Sequence, residues 1–333
     1  MLRSMYSGIS GLKVNQTKLD VIGNNIANVG TTAFKNQRIR FQDVLSQNLK
    51  FGTGASTNVG GTNPSQVGLG VEVAGIDTMV SQGNMQPTGS NLDFAVDGDG
   101  YFVVARGKAD GTIEVGEDGT VKTKNDDLTV NYTRDGSFTL DDQGQLLTSD
   151  GYRVLGYLPN GVTAKYSTGD TPSTLEIAKV NPGDKLTVEK KLKPLLIPDE
   201  VKVGTGTDTM KIKNFSVDKN GVINAVLASN EVVAIGQIAM ASFKNPAGLT
   251  KEGKNMYSTS ASSGEAIYRS GVGADKSNEK GYGDIIQGRL EMSNVDLAEQ
   301  FTEMIVASRA FQANGKIITT GDEILQDLVN LKR

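Results

Sequence analysis

The 333-residue chain has no cysteine, no histidine and no tryptophan. Without cysteine there are no disulfides and no thiolate nucleophiles. Without histidine there is no imidazole metal ligand and no histidine-based catalytic triad. The missing cysteines remove disulfide stapling as a source of stability but leave the compartment open. A surplus of one charge is missing too: 34 Lys and Arg stand against 38 Asp and Glu, so nothing points to nucleic acid as a partner. No apolar run approaches the roughly 18 residues that mark a transmembrane segment. Asn15, Gln16, Lys18 and Asp20 interrupt the place where the apolar stretch of a secretory signal would stand, so a cleaved signal peptide is not expected. The length accommodates two or three domains.

What is present differs between the ends and the middle. From the amino end, Leu2, Met5, Ile9, Leu12, Leu19 and Ile26 follow an alternating three-four spacing, interrupted by Gln16 and Gly23. That is the apolar seam of an amphipathic helix. Gly8, Gly11 and Gly23 each weaken it by up to roughly 1 kcal/mol, so packing must hold it. Asn24, Asn25, Ala27 and Asn28 lie where it should end, because Asn tolerates left-handed geometry and caps itself. Near the carboxyl end, Leu297, Phe301, Met304, Phe311, Ile318 and Leu325 form a second seam, weakened at Gly315 and Asp322. Ser293 and Asn294 ahead of Asp296 look like a helix start, and Lys332-Arg333 suit its dipole. The pattern predicts one helix over about 293–330. The two seams can pack on each other or on further copies of the chain.

The middle reads as β. Leu92–Val96 and Tyr101–Ala105 flank Asp97-Gly98-Asp99-Gly100, which predicts a hairpin, and Asn131–Leu140 predicts another through Asp135-Gly136. A charged surface hairpin is expected over 107–128. Strands recurring every eight to twelve residues indicate all-β packing. Residues 46–68 are polar and glycine-rich and cannot form a core of their own. From 158 to 228 prolines cluster (Pro172, Pro182, Pro194, Pro198) and lysine becomes common. The expected fold is therefore mainly β outer domains with long α-helical termini in a nested multidomain architecture. Its parts are terminal helices at 1–30 and 291–333, a linker at 31–71, a first β domain at 72–157 and 229–290, and an inserted second β domain at 158–228.

Candidate chemistry fails residue by residue. Asp97 and Asp99 resemble the start of a calcium loop, but Lys108 occupies the position that needs a bidentate Glu. Gly248 to Lys254 matches a phosphate loop until Asn255, where Ser or Thr must hold magnesium. Ser10–Lys13 and Ser277–Lys280 have the spacing of a serine–lysine nucleophile pair, one inside the amphipathic helix and one in a charged stretch. No catalytic, cofactor-binding or metal-binding residues, and no cofactor, are expected. A β-rich binding module or a glycan-cleaving enzyme would need neither amphipathic end, and the latter needs a carboxylate pair about 5–9.5 Å apart in a cleft.

Several long motifs carry a resemblance. They are Met5-Tyr6-Ser7-Gly8-Ile9-Ser10-Gly11-Leu12, the run from Leu19 to Lys35, Gly83 to Phe102, Tyr132-Thr133-Arg134-Asp135-Gly136-Ser137-Phe138, and Leu290 to Glu299 with its Ser293-Asn294. In these the chain resembles the bacterial flagellar rod and hook axial-protein family. The stretches Phe301–Lys316 and Ile318–Leu325 are most similar to its hook type, with the distal-rod type as the alternative. Residues 158–228 match no motif of the family. The resemblance implies a structural, non-enzymatic subunit of bacterial motility. Copies would self-assemble through the terminal helices, as an inner assembly domain, into a curved tube joining the rotary motor to the filament as a universal joint. The implied partners are further copies in a helical homopolymer, the distal rod, a hook cap, hook–filament junction proteins and the flagellar type III export apparatus. The implied place is an extracellular hook or basal-body appendage.

Overall fold

The computed structural model describes residues 2–54, 60–108, 110–116, 119–124, 128–159, 162–166, 173–177, 188–203, 209–269 and 283–331. Packing divides the chain into a helical unit, Met1–Gly30, Lys35–Val80 and Val295–Arg333, and a β unit, Thr31–Phe34 and Ser81–Asn294.

In the helical unit, α1 spans Leu2–Ala27 and α2 spans Leu297–Asn330. The second helix begins later than the expected 293. Asp296 is extended (φ −90°, ψ 113°), and its Oδ1 accepts hydrogen bonds from the amides of Ala298 and Glu299 at 2.8 and 3.4 Å. An N-cap in that geometry fixes the first turn behind it. Lys332 and Arg333 lie outside the described residues.

The stretch expected as a linker is instead part of a two-stranded arm. Strand β1 (Gln37–Asp43) pairs antiparallel with β4 (Val71–Thr78), and β2 (Ser46–Lys50) pairs with β3 (Ser65–Gly68). Bonds from Val44 N to Gly70 O and from Leu69 N to Leu45 O join the two ladders, and Thr53 bridges Thr62 beyond them. The twelve strand residues of β1 and β2 reach about 40 Å at ~3.3 Å each. Every residue of β2 and β3 is exposed. The polar composition excluded a core, as expected, but a ladder needs only backbone groups. Residues 72–78 therefore belong to the helical unit, not to the first β domain expected from the sequence.

The β unit is organised around strand β7 (Tyr101–Gly107), whose residues Tyr101 to Ala105 are all buried. It pairs antiparallel with Leu128–Thr133 along most of its length, and with Arg153–Val154 and Met240–Ala241 on its other edge. A strand covered on both faces is apolar throughout rather than alternating. Two hairpins expected from Asp-Gly turns are not formed. Strand β6 (Phe94–Asp97) pairs with Asp284–Gln287 rather than β7, because the Arg134 guanidinium donates to Val96 O and Gly98 O and holds the intervening turn away from the ladder. Leu128–Thr133 does not pair with Phe138–Leu140, since the turn between them lies against Phe94, whose amide donates to Gly136 O at 3.0 Å. Hairpins join Phe138–Leu140 to Leu146–Thr148 and Thr209–Val217 to Val222–Leu227.

The expected division at 158 and 228 is not a division of the core. Val162, Leu175, Leu195, Val201 and Leu227 share one buried cluster with Phe94, Phe102, Val154 and Ile235. Pro172, Pro182 and the Ser277–Lys280 pair lie outside the described residues.

Candidate assembly surface

The two helices run antiparallel, as their contacts show: Met5 lies by Gly321, Gly8 by Ile318, Gly11 by Asn314, Lys18 by Glu303 and Asn25 by Gln300. On α1, Gly8, Gly11 and Asn25 meet α2, and together with Val14, Val21 and Ile22 they form its buried line. A Cβ at Gly11 would stand 2.7 Å from Asn314 Nδ2, one at Gly8 would make ordinary contact with Ile318, and one at Gly23 would meet nothing, so Gly11 is the glycine that admits a close neighbour from α2.

This line is displaced from the seam read by heptad counting. Met5, Leu12, Leu19 and Ile26 are half-buried on its flank, and Ile9 is exposed. On α2 only Gln300 and Ala307 are buried. Met304, Ile318 and Leu325 are half-buried, whereas Leu297, Phe301 and Phe311 are 40%, 50% and 38% exposed. Ile305, Val306, Ile317 and Ile324 are exposed as well. Counting apolar residues finds the middle of the hydrophobic stripe, while small residues set where two helices touch. The large side chains are left facing outward. Leu2 lies in the helix, with its side chain outside the described set.

The Asn motif has two roles. Asn25, fully buried, donates through Nδ2 to Gln37 O (2.8 Å) and Gln300 Oε1 (3.0 Å) and accepts at Oδ1 from the Gln37 amide (3.0 Å). It ties the end of α1, the start of α2 and the root of the arm together with no polar atom wasted. Asn24 and Asn28 are the cap: Asn28 Nδ2 donates to Asn24 O and Oδ1 at 2.9 and 3.0 Å. The left-handed geometry expected there is absent: among the described residues, the non-glycine positions with positive φ are Ala33, Asn230, Lys254 and Asn255. Ala27 is exposed. Ser10 donates to Ser7 O and accepts from the Val71 amide, so it anchors the arm and serves no nucleophile.

Other motif residues converge inside the β unit. Arg134 Nε and Glu291 Oε2 form an ion pair at 2.9 Å, with the side chains 3% and 0% exposed. Gly83 N donates to the other Glu291 oxygen at 2.9 Å. The Arg134 guanidinium lies 5.7 Å from the Tyr101 ring centre. Burial pushes the Tyr101 hydroxyl up to about 12, partly offset by Arg134. Asn294 Nδ2 donates to Ser81 O and Oγ. Arg134 and Glu291 lie in two separate sequence motifs, and the charged residue inside each is the signal for a pair that only the fold reveals.

The remaining chemical look-alikes resolve into turns. Thr250–Gly253 and Met256–Ser258 are paired strands joined by Lys254-Asn255, where a phosphate loop would lead into a helix. Gly98 and Gly100 have φ of +107° and +135° in the turn between β6 and β7. Among the described residues no group of three or more acidic side chains is placed to hold a metal.

Comparison with known proteins gives three family matches. Residues 5–35 match the flagella basal body rod protein family, 95–225 the flagellar hook protein FlgE/F/G D1 domain, and 286–331 the flagellar basal body rod FlgEFG protein C-terminal family. The chain is 43% identical over 333 residues to the flagellar basal-body rod protein FlgG of Bacillus subtilis, covering all of both chains. It is 33% identical over 336 residues to the corresponding FlgG of Borreliella burgdorferi, again covering both completely. To the flagellar hook protein FlgE of Borreliella burgdorferi it is 32% identical, with full coverage of both, over an alignment of 468 residues.

Proposed function

This chain belongs to the flagellar rod and hook axial-protein family, a family of non-catalytic structural proteins of the flagellum, and within it we propose that it is a distal rod subunit of the basal body. The observation that carries this reading is length. The two rod relatives align over 333 and 336 residues, but the hook relative needs 468. A hook subunit of that kind carries segments for which this chain has no counterpart. The hook reading drawn from 301–325 rested on a helix that rod and hook types share.

In this role many copies assemble through the helical unit. The outward apolar side chains of α2, with Phe301, Ile305 and Phe311 among them, become buried between copies. Each 100 Å² of apolar surface so covered contributes about 2.5 kcal/mol. The partners are further copies of the chain, hook subunits at the distal end, and the flagellar export apparatus that delivers them.

Electron microscopy of basal bodies from cells lacking the gene tests the assignment. Rods that stop short of their distal part are expected. Complete rods bearing no hook would return the protein to the hook class.

A further inference from the structure

The segment 283–294 touches more of the β unit than its length suggests. Its strand Asp284–Gln287 is, among the described residues, the ladder partner of β6, and its strand Arg289–Glu291 is that of β5 (Met85–Pro87). Phe94 and Val96 of β6 are core residues, as is Ile285 opposite Val96. On its other side the segment meets Thr209–Val217 and the turn after it: Ile285 N donates to Lys219 O at 3.0 Å, and Gln287 Oε1 accepts from Val217 N at 3.0 Å. Further bonds run from Gly283 N to Asp99 O, Gly288 N to Asp93 O and Met292 N to Asn84 O. It also passes so close to Gly83 that any Cβ there would overlap Met292 O. Finally it brings Glu291, the carboxylate that neutralises buried Arg134.

We propose that 283–294 is a strap whose docking is the closing step in folding of the β unit. Before it docks, β5 and β6 have no ladder, and Arg134 would be an uncompensated charge in the interior. Burying such a charge is costly enough to keep the surrounding core open. A chain delivered amino end first, as from a ribosome, therefore cannot seal its β unit until everything except α2 has been delivered. The strap makes closure depend on the far end of the chain, so the β unit has no stable partial fold.

Pulse-labelling hydrogen exchange during refolding of the full chain tests this. The core amides of Val103, Val104 and Tyr132 should gain protection in the same kinetic phase as those of Ile285 and Gly288. Core protection that precedes strap protection would overturn the proposal. A second measurement uses full-length Glu291→Gln under native conditions. Exchange of the core amides should accelerate together with the strap, on the order of 100- to 1,000-fold, and a variant that retains no protected core counts the same way. Acceleration confined to 283–294 and its direct neighbours, with core rates unchanged, would reject the strap as a closing step.

Discussion

Phe102 in the β unit is completely buried, whereas Phe301 in the helical unit is half exposed. The contrast extends to the elements around them. Strand β7 buries five consecutive residues, but the 34-residue α2 buries only Gln300 and Ala307. The β unit satisfies its apolar side chains within one chain and pairs even its buried charge. The helical unit fixes its geometry with glycines and an asparagine clamp and leaves its large side chains outward. A helix pair with so little buried surface depends on what covers it. On the proposed function, the same sequence encodes one unit that is finished as a monomer and one that is finished by assembly.

The largest effect that would break this comparison concerns residues 158–228. Excising them with a short Gly/Ser joint removes Val162, Leu175, Leu195, Val201 and Leu227 from the shared core. The β unit should then unfold, as read by loss of its cooperative melting transition. The sequence reading treated this stretch as a detachable domain, so a well-folded excised protein would restore that view.

Single substitutions sharpen the contrast. Phe102→Ala should destabilise the monomer by about 3–5 kcal/mol in denaturant unfolding. Phe311→Asp should change monomer stability by less than about 1 kcal/mol. It should still abolish polymerisation, because an unpaired carboxylate buried between copies costs several kcal/mol. Sedimentation of the assembled form would show the difference. A Phe311→Asp chain that polymerises normally would remove α2 from the seam.

Smaller effects are expected within the helix pair. Gly11→Val places side-chain atoms where Asn314 already stands. Overpacking of this kind costs roughly 1–3 kcal/mol and should appear as earlier loss of helical circular dichroism with the β transition unchanged. Alkaline stability should report on the β unit alone. Tyr101 has its pKa raised by burial from the ordinary 10 to about 12, and burial raises those of Tyr132 and Tyr257 too. A tyrosine whose folded pKa is raised leaves stability unchanged below pH 10. It then lowers stability as pH rises through the unfolded value toward the folded one. The slope is about 1.4 kcal/mol per pH unit for each such tyrosine. Unfolding curves at pH 9 to 11.5 would check it.

The sequence showed the helical ends, the β middle and strands such as Leu92–Val96 and Tyr101–Ala105, because periodicity and Asp-Gly turns are local signals. It did not show partners. The β6–β7 hairpin was the local choice at Asp97–Gly100, yet Arg134 and the distant Asp284–Gln287 decide the pairing. The arm was hidden because exposed ladders such as β2 with β3 carry no alternation of burial. In the assembly surface, the apolar stripe was legible, but the contact line through Gly8, Gly11 and Asn25 was not, since small and polar residues score as defects in a heptad. Asn25 was visible as part of a motif; its clamp on Gln37 and Gln300 required the fold.

Hydrogen exchange on the free monomer and on the assembled form tests the central contrast most directly. Amides of α1 and α2 should exchange rapidly in the monomer and become protected on assembly, while those of β7 and its partners stay slow in both. Exchange across residues 2–27 of the free monomer as slow as in the β core would contradict it.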